Sequence, residues 1–153
     1  MTQGIEIKGL NELLRQMTKY PMQLVKVVSV TMSASLNTLW EKVPAYPPQE
    51  PDATYRRTGT LGKSLGSSMS GGAVGDPSVY RIRQLGEGEG NFEGTFGSNL
   101  DYAPFVIGEQ QAGMHSSNWW NIITIAQRAA DKIERLWQKA GDLLAEFLEK
   151  QGA

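Results

Sequence analysis

The chain has 153 residues, 40% of them apolar and 20% charged, with no Cys and a single His. That length supports one ordinary domain with its own core, and the composition excludes wholesale disorder, a disulfide framework, a thiolate zinc site and a cysteine nucleophile. With 15 Lys and Arg against 16 Asp and Glu, a net charge of −1, the chain lacks the cationic excess that broad nucleic-acid binding needs.

At the start, Met1-Thr2-Gln3-Gly4-Ile5-Glu6 lacks the charged-then-apolar order of a signal peptide. No apolar stretch approaches the ~20 residues that span a bilayer. A soluble protein made in a cytoplasm is therefore expected. Ile5-Glu6-Ile7 alternates as a short strand does, and Gly9 closes it. Leu10, Leu13, Leu14 and Met17 then step at helical spacing. Pro21 opens a second helix, because proline is tolerated in a first turn. Along it Val25, Val28, Met32, Leu36, Leu39 and Val43 share one face. The β-branched run from Val25 to Val30 leaves a strand open there; helix is preferred because the spacing continues to Val43.

Residues 44–57 form an extended, Pro-rich arm on the single domain 1–153, since Pro44, Pro47, Pro48 and Pro51 exclude both helix and central strand. Strands are expected from Ser64 to Ser70, from Val79 to Arg83 and from Phe92 to Gly97, with a turn at Ser70-Gly71-Gly72 and another from Gly86 to Asn91. Together they read as an antiparallel meander with one wet face. Asn118 is a plausible N-cap for the last helix, whose stripe runs through Ile122, Ile125, Ala129, Ile133, Leu136, Ala140, Leu144 and Phe147. Asp131 to Arg135 and Glu146 to Lys150 are favourable i,i+4 pairs on the opposite face. A continuous helix from Asn118 to Lys150 would measure roughly 50 Å, so either Gly141 breaks it or its end finds a partner.

The motifs that carry chemistry are weak. Gly62-Lys63-Ser64 ends like a phosphate-binding loop, but the pattern needs Gly at position 57 and Arg57 is there. From Gly86 to Gly97 the last Gly of a dinucleotide fingerprint is missing, and Glu87 and Glu89 would repel a pyrophosphate. His115 has no G-x-S-x-G elbow to serve, and no two carboxylates stand out as an acid–base pair. No catalytic, cofactor-binding or metal-binding residue is assigned, and no enzyme activity is expected. Trp119-Trp120 point about 100° apart at a helix start, so one can join the core while the other contacts a partner.

Three features together resemble a known family. They are a helical N-terminal third, then Thr58-Gly59-Thr60-Leu61-Gly62-Lys63-Ser64-Leu65, then Phe96-Gly97-Ser98-Asn99-Leu100-Asp101-Tyr102-Ala103-Pro104-Phe105-Val106-Ile107-Gly108, with a C-terminal helix to follow. The ordered set is similar to the neck or tail-completion (head–tail joining) proteins of long-tailed bacteriophages, over most of the chain from about Leu10 to Phe147. One difference is that the family usually has a Glu soon after Tyr-Ala, whereas here no acid follows until Glu109.

The resemblance implies an α+β fold: a small antiparallel sheet of three to four strands, packed by N-terminal helices and a long C-terminal helix. It implies a non-enzymatic structural virion protein in a ring that joins the head connector to the tail tube. Implied partners are copies of itself and the neighbouring neck, connector and tail-tube proteins, with no cofactor, no membrane and no sequence-specific nucleic acid, although the ring lumen would pass DNA. Implied localisation is the head–tail junction of the virion, after assembly in the host cytoplasm. Alternatives are a tail terminator or morphogenesis factor, and behind these a small hydrolase or a nucleotide-binding module.

Candidate contact residues are Tyr46, Pro47, Pro48, Tyr55, Arg56 and Arg57 on the arm, with Trp119 and Trp120. Candidate structural positions are Thr58, Gly59, Leu61, Gly97, Tyr102, Ala103 and Gly108. Thr58 is expected to cap a turn, Gly59 to take a conformation a side chain would strain, and Leu61 to anchor the arm. The stiff arm is expected to be mobile in a largely monomeric isolated protein and fixed in a ring, with Arg56 and Arg57 meeting acids of the next subunit.

Overall fold

In a computed structural model of the chain, Pro21 opens a 21-residue helix, α1 (Pro21–Glu41), as its tolerance of a first turn predicts. The structure describes residues 15, 19–45, 47–49, 51, 52, 54, 59–61, 81–85, 91–98 and 100–152. After α1 come two five-residue strands, β1 (Arg81–Leu85) and β2 (Asn91–Thr95), which among the described residues pair with each other. Two single-turn helices follow, α2 (Ala103–Val106) and α3 (Gly113–Ser116). The last element is α4 (Ile122–Gly152), 31 residues long.

This corrects the expected fold class. The described part is mostly helical, and it holds no three- or four-stranded sheet for helices to pack on. Its β-structure is one isolated ribbon, in a stretch where Gly86, Gly88, Gly90, Gly94 and Gly97 supply no side chains for a packed face. A ribbon of two strands has no independent stability and must lean on other elements. The expected strand from Ser64 to Ser70, the turn at 70–72, the strand at 5–7 and most of the first helix lie outside the described residues.

The chain divides into two compact units. One comprises Met1–Thr38, Ile82–Gly94 and Ala130–Ala153; the other comprises Leu39–Arg81 and Thr95–Ala129. In the first unit α1 buries Leu24, Val28, Thr31, Ser35, Leu36 and Thr38; all but Leu36 step by four and three residues along one stripe, which Leu36 widens. Three of the six are hydroxyl residues, and each satisfies itself on its own helix. Thr31 Oγ1 donates to the Val27 carbonyl at 2.8 Å, Ser35 Oγ to the Thr31 carbonyl at 2.8 Å, and Thr38 Oγ1 to the Ala34 carbonyl at 2.9 Å. Of the expected face, Val28 and Leu36 are buried, while Val25, Met32, Leu39 and Val43 are only half-buried. Met32 and Leu36 instead receive β2: a Cβ on Gly94 would sit 2.6 Å from Met32 Sδ and 3.7 Å from Leu36 Cδ1.

In the same unit α4 buries Ile133, Trp137, Ala140 and Leu144, and its half-buried Phe147 meets Tyr20 edge-on, ring centroids 5.2 Å apart. Gly141 does not break the helix, which runs on to Gly152. Burial on both sides of the glycine, at Ala140 and Leu144, offsets the ~1 kcal/mol a helical Gly costs relative to Ala. Of the two alternatives for the over-long helix, the structure shows a continuous one, about 46 Å at 1.5 Å per residue.

Its start also differs from expectation. Asn118 lies before α4, and its N–H donates to the His115 carbonyl at 3.2 Å, closing the turn after α3. Asn121 is the residue beside the first turn of α4, and its Oδ1 accepts from the Ile123 N–H at 2.8 Å. The two asparagines are three positions apart, and only the second stands next to unpaired helical N–H groups.

Candidate functional site

The second unit gathers the two stretches that carry the family resemblance. Its core cluster is Leu61, Ala103, Ile107 and Trp119, each less than a tenth exposed, with Phe96, Leu100, Val106, Trp120 and Ile122 packed against it. Leu61 comes from the Thr-Gly-x-Leu stretch, and Ala103 and Ile107 from the Tyr-Ala stretch more than forty positions on. Phe96 also stacks edge-on against Trp40, centroids 6.4 Å apart. Burying side chains of this size stabilises by roughly 1.5–3 kcal/mol each.

Two glycines have a physical reason to be glycine. Gly59 is buried at φ 75°, in the left-handed region that a side chain strains, and so delivers Leu61 into the core two residues later. Gly108 is buried against the backbone of α2: a Cβ there would lie 2.7 Å from Pro104 Cα and 2.9 Å from the Pro104 carbonyl oxygen. Gly97 is different, since nothing lies within 4 Å of where its Cβ would be.

Between α2 and α4 the backbone is held by two side-chain amides that the sequence did not single out. Gln111 Nε2 donates to the Val106 carbonyl at 2.8 Å and lies 3.2 and 3.3 Å from the Trp120 and Trp119 carbonyls. Asn121 Nδ2 donates to the Gly108 carbonyl at 3.0 Å while its Oδ1 caps α4. Backbone bonds complete the clasp, Ala112 N–H to the Phe105 carbonyl at 2.9 Å and Ile122 N–H to the Ile107 carbonyl at 2.8 Å. These carbonyls lie at the end of a short helix or outside any, where no helical ladder serves them.

The clasp fixes a turn that points apolar groups outward. Tyr102, the residue that caps α2, is 45% exposed and Phe105 on its first turn is 51% exposed, three positions apart and therefore neighbours. Asp101 and Glu109 are exposed at either side of them in sequence. This turn is the candidate interaction surface. Of the residues expected to make contacts, Trp119 is in the core and Trp120 is half-buried against it, its Nε1 buried with no hydrogen-bond partner among the described residues. Pro47 is half-buried and Pro48 exposed; Tyr46, Tyr55, Arg56, Arg57 and Thr58 lie outside the described residues. Half-buried His115 is on α3, where its carbonyl accepts from the Trp119 N–H at 2.8 Å.

No group of three or more His, Asp or Glu that could hold a metal occurs among the described residues. No helix among them is long and apolar enough to cross a membrane. Comparison with known protein families, with characterised proteins and with solved structures finds no match.

Proposed function

We propose that this chain is a non-enzymatic structural protein of the neck of a long-tailed bacteriophage, one subunit of a ring between head connector and tail tube. One observation carries the reading. The two motif stretches of the resemblance, distant in sequence, supply Leu61, Ala103 and Ile107 to one core, and the turn built on that core exposes Tyr102 and Phe105. The motif residues thus act as scaffold for an exposed apolar turn, which supports a role in contacts. A subunit whose role is to touch neighbours needs that arrangement, because a closed ring is made by contacts between different patches of identical chains.

The test is to purify virions of a phage that encodes the chain, identify the protein in them by mass spectrometry, and image the neck. Density for this chain at the head–tail junction is the expected result. Its absence from virions, or its position elsewhere along the tail, overturns the reading.

A further inference from the structure

Between Arg83 and Arg128 the sequence contains no Lys or Arg, but it contains Glu87, Glu89, Glu93, Asp101 and Glu109. The exposed turn with Tyr102 and Phe105 sits inside this cation-free stretch, with exposed Asp101 and Glu109 beside it. An apolar turn whose charged neighbours in sequence are carboxylates favours an occupant that brings apolar contact and positive charge together.

The chain carries such a surface itself. On α4, Arg128, Lys132, Arg135 and Lys139 are all exposed and follow one another at spacings of four, three and four. That spacing places them in a single stripe. One turn further along the same line is Leu143, an exposed apolar side chain, 51% accessible. Asp131 and Asp142 border the stripe, each one turn from a cation (Asp131 from Arg135, Asp142 from Lys139), so four cations stand against two acids along it.

We propose that the acidic apolar turn of one copy, Asp101, Tyr102, Phe105 and Glu109, docks on the basic stripe of α4 of a second copy. Both surfaces are exposed in the single chain and they differ from each other, so the contact is heterologous. Each copy then has one surface of each kind, and repetition yields a ring or an open helical array. A stable pairwise interface buries about 1,200–2,000 Å² in total, more than one helical turn on one helix face readily provides. The pairwise contact is therefore weak and salt-sensitive, and it gains strength where each copy is held on two sides. This deepens the ring-subunit reading and rests on it for its setting, but its test needs no virion.

The experiment is sedimentation of the purified full chain over a concentration series at low and high salt. Association that grows with concentration, and weakens roughly tenfold as surface charges are screened, is expected. Tyr102→Ser with Phe105→Ser should abolish it, as should Arg135→Glu with Lys139→Glu, while Arg135→Lys should preserve it. Mixing the two double variants is the deciding step. Each retains the surface the other lacks, so the mixture should form pairs and nothing larger. Should the Phe105 change cost folding by circular dichroism, Asp101→Lys probes the same surface through charge alone.

A chain that stays monomeric throughout the series overturns the proposal. So does association indifferent to both double variants, or a mixture that forms no pairs. Presence in virions with no such association would sink this contact and leave the neck role standing; the reverse result would sink only the role.

Discussion

The last helix beyond Ala130 and the stretch from Phe96 to Ile123 hold their shape in different ways. On α4 the same event recurs each turn: Ile133, Trp137, Ala140 and Leu144 are buried on one side, and the backbone bonds to itself. From Phe96 to Ile123 hardly any contact has a duplicate. One glycine admits α2, one glutamine gathers three carbonyls, and one asparagine both caps α4 and reaches back to Gly108. A repeated pattern tolerates the loss of one member, because its neighbours keep the register. A set of single contacts loses its path when one goes. The exposed turn at Tyr102 and Phe105 depends on the second kind of order, and a surface that must present particular side chains needs a fixed path more than it needs bulk stability.

The largest effect is expected at Leu144, which is 2% exposed. Leu144→Ala should cost about 2–5 kcal/mol in denaturant unfolding, yet leave helix content nearly unchanged, because Trp137 and Ala140 still anchor α4. Loss of the helix itself would break the comparison. Gly108→Val drives a side chain into the Pro104 backbone and should cost about 1–3 kcal/mol or more. Unlike the first change, it should also speed amide exchange at Ile107 and Ile122, whose backbones are bonded to each other. Unchanged exchange would mean that α2 is not held from this side.

Gln111→Ala strips a shared donor from carbonyls that no helix serves, and should cost about 1–3 kcal/mol. Gly59→Ala, at φ 75°, is expected to cost about 1–2 kcal/mol; measurement of the same stability as wild type would show that the turn can relax. The smallest effect is expected at Thr38. Its hydroxyl donates to an Ala34 carbonyl within α1, so Thr38→Val should stay within about 1 kcal/mol of wild type. Thr38 and Gln111 both give a hydrogen bond to a backbone carbonyl. Only at Gln111 does removal leave the acceptor short.

What the sequence made legible follows the same division. Both long helices stood out by their three- and four-residue spacing, and Pro21 marked the start of one of them. On α1 the sequence marked buried Val28 and Leu36 but missed Thr31, Ser35 and Thr38, which look polar as letters and become apolar in effect once each hydroxyl bonds to its own helix. Trp137 was hidden by its neighbour Leu136, since either fits the stripe within the width of a buried face. The special conformation at Gly59 and the anchoring by Leu61 were readable from Thr-Gly-x-Leu alone.

The clasp was not readable. Gln111 and Asn121 are ordinary amides in an irregular stretch, and their partners are four backbone carbonyls, at 106, 108, 119 and 120, that only folding brings to them. The sheet was over-read for a related reason. Alternation in a glycine-rich stretch indicates extended backbone, but it does not say how many strands find partners.

Every tryptophan of this chain is at least partly withdrawn from solvent. Trp119 and Trp137 are buried, and Trp40 and Trp120 are half-buried. Three of them belong to the unit that carries the exposed turn, and Trp137 belongs to the other. The molecule therefore contains its own optical reporters, with folded-state emission at shorter wavelength than in the unfolded chain. Replacing Trp137 by Phe confines the signal to the unit behind Tyr102 and Phe105. The converse set, with Trp40, Trp119 and Trp120 replaced, confines it to the long-helix unit. Melting curves from the two would read the loss of repetition and the loss of the clasp as separate colours of one protein.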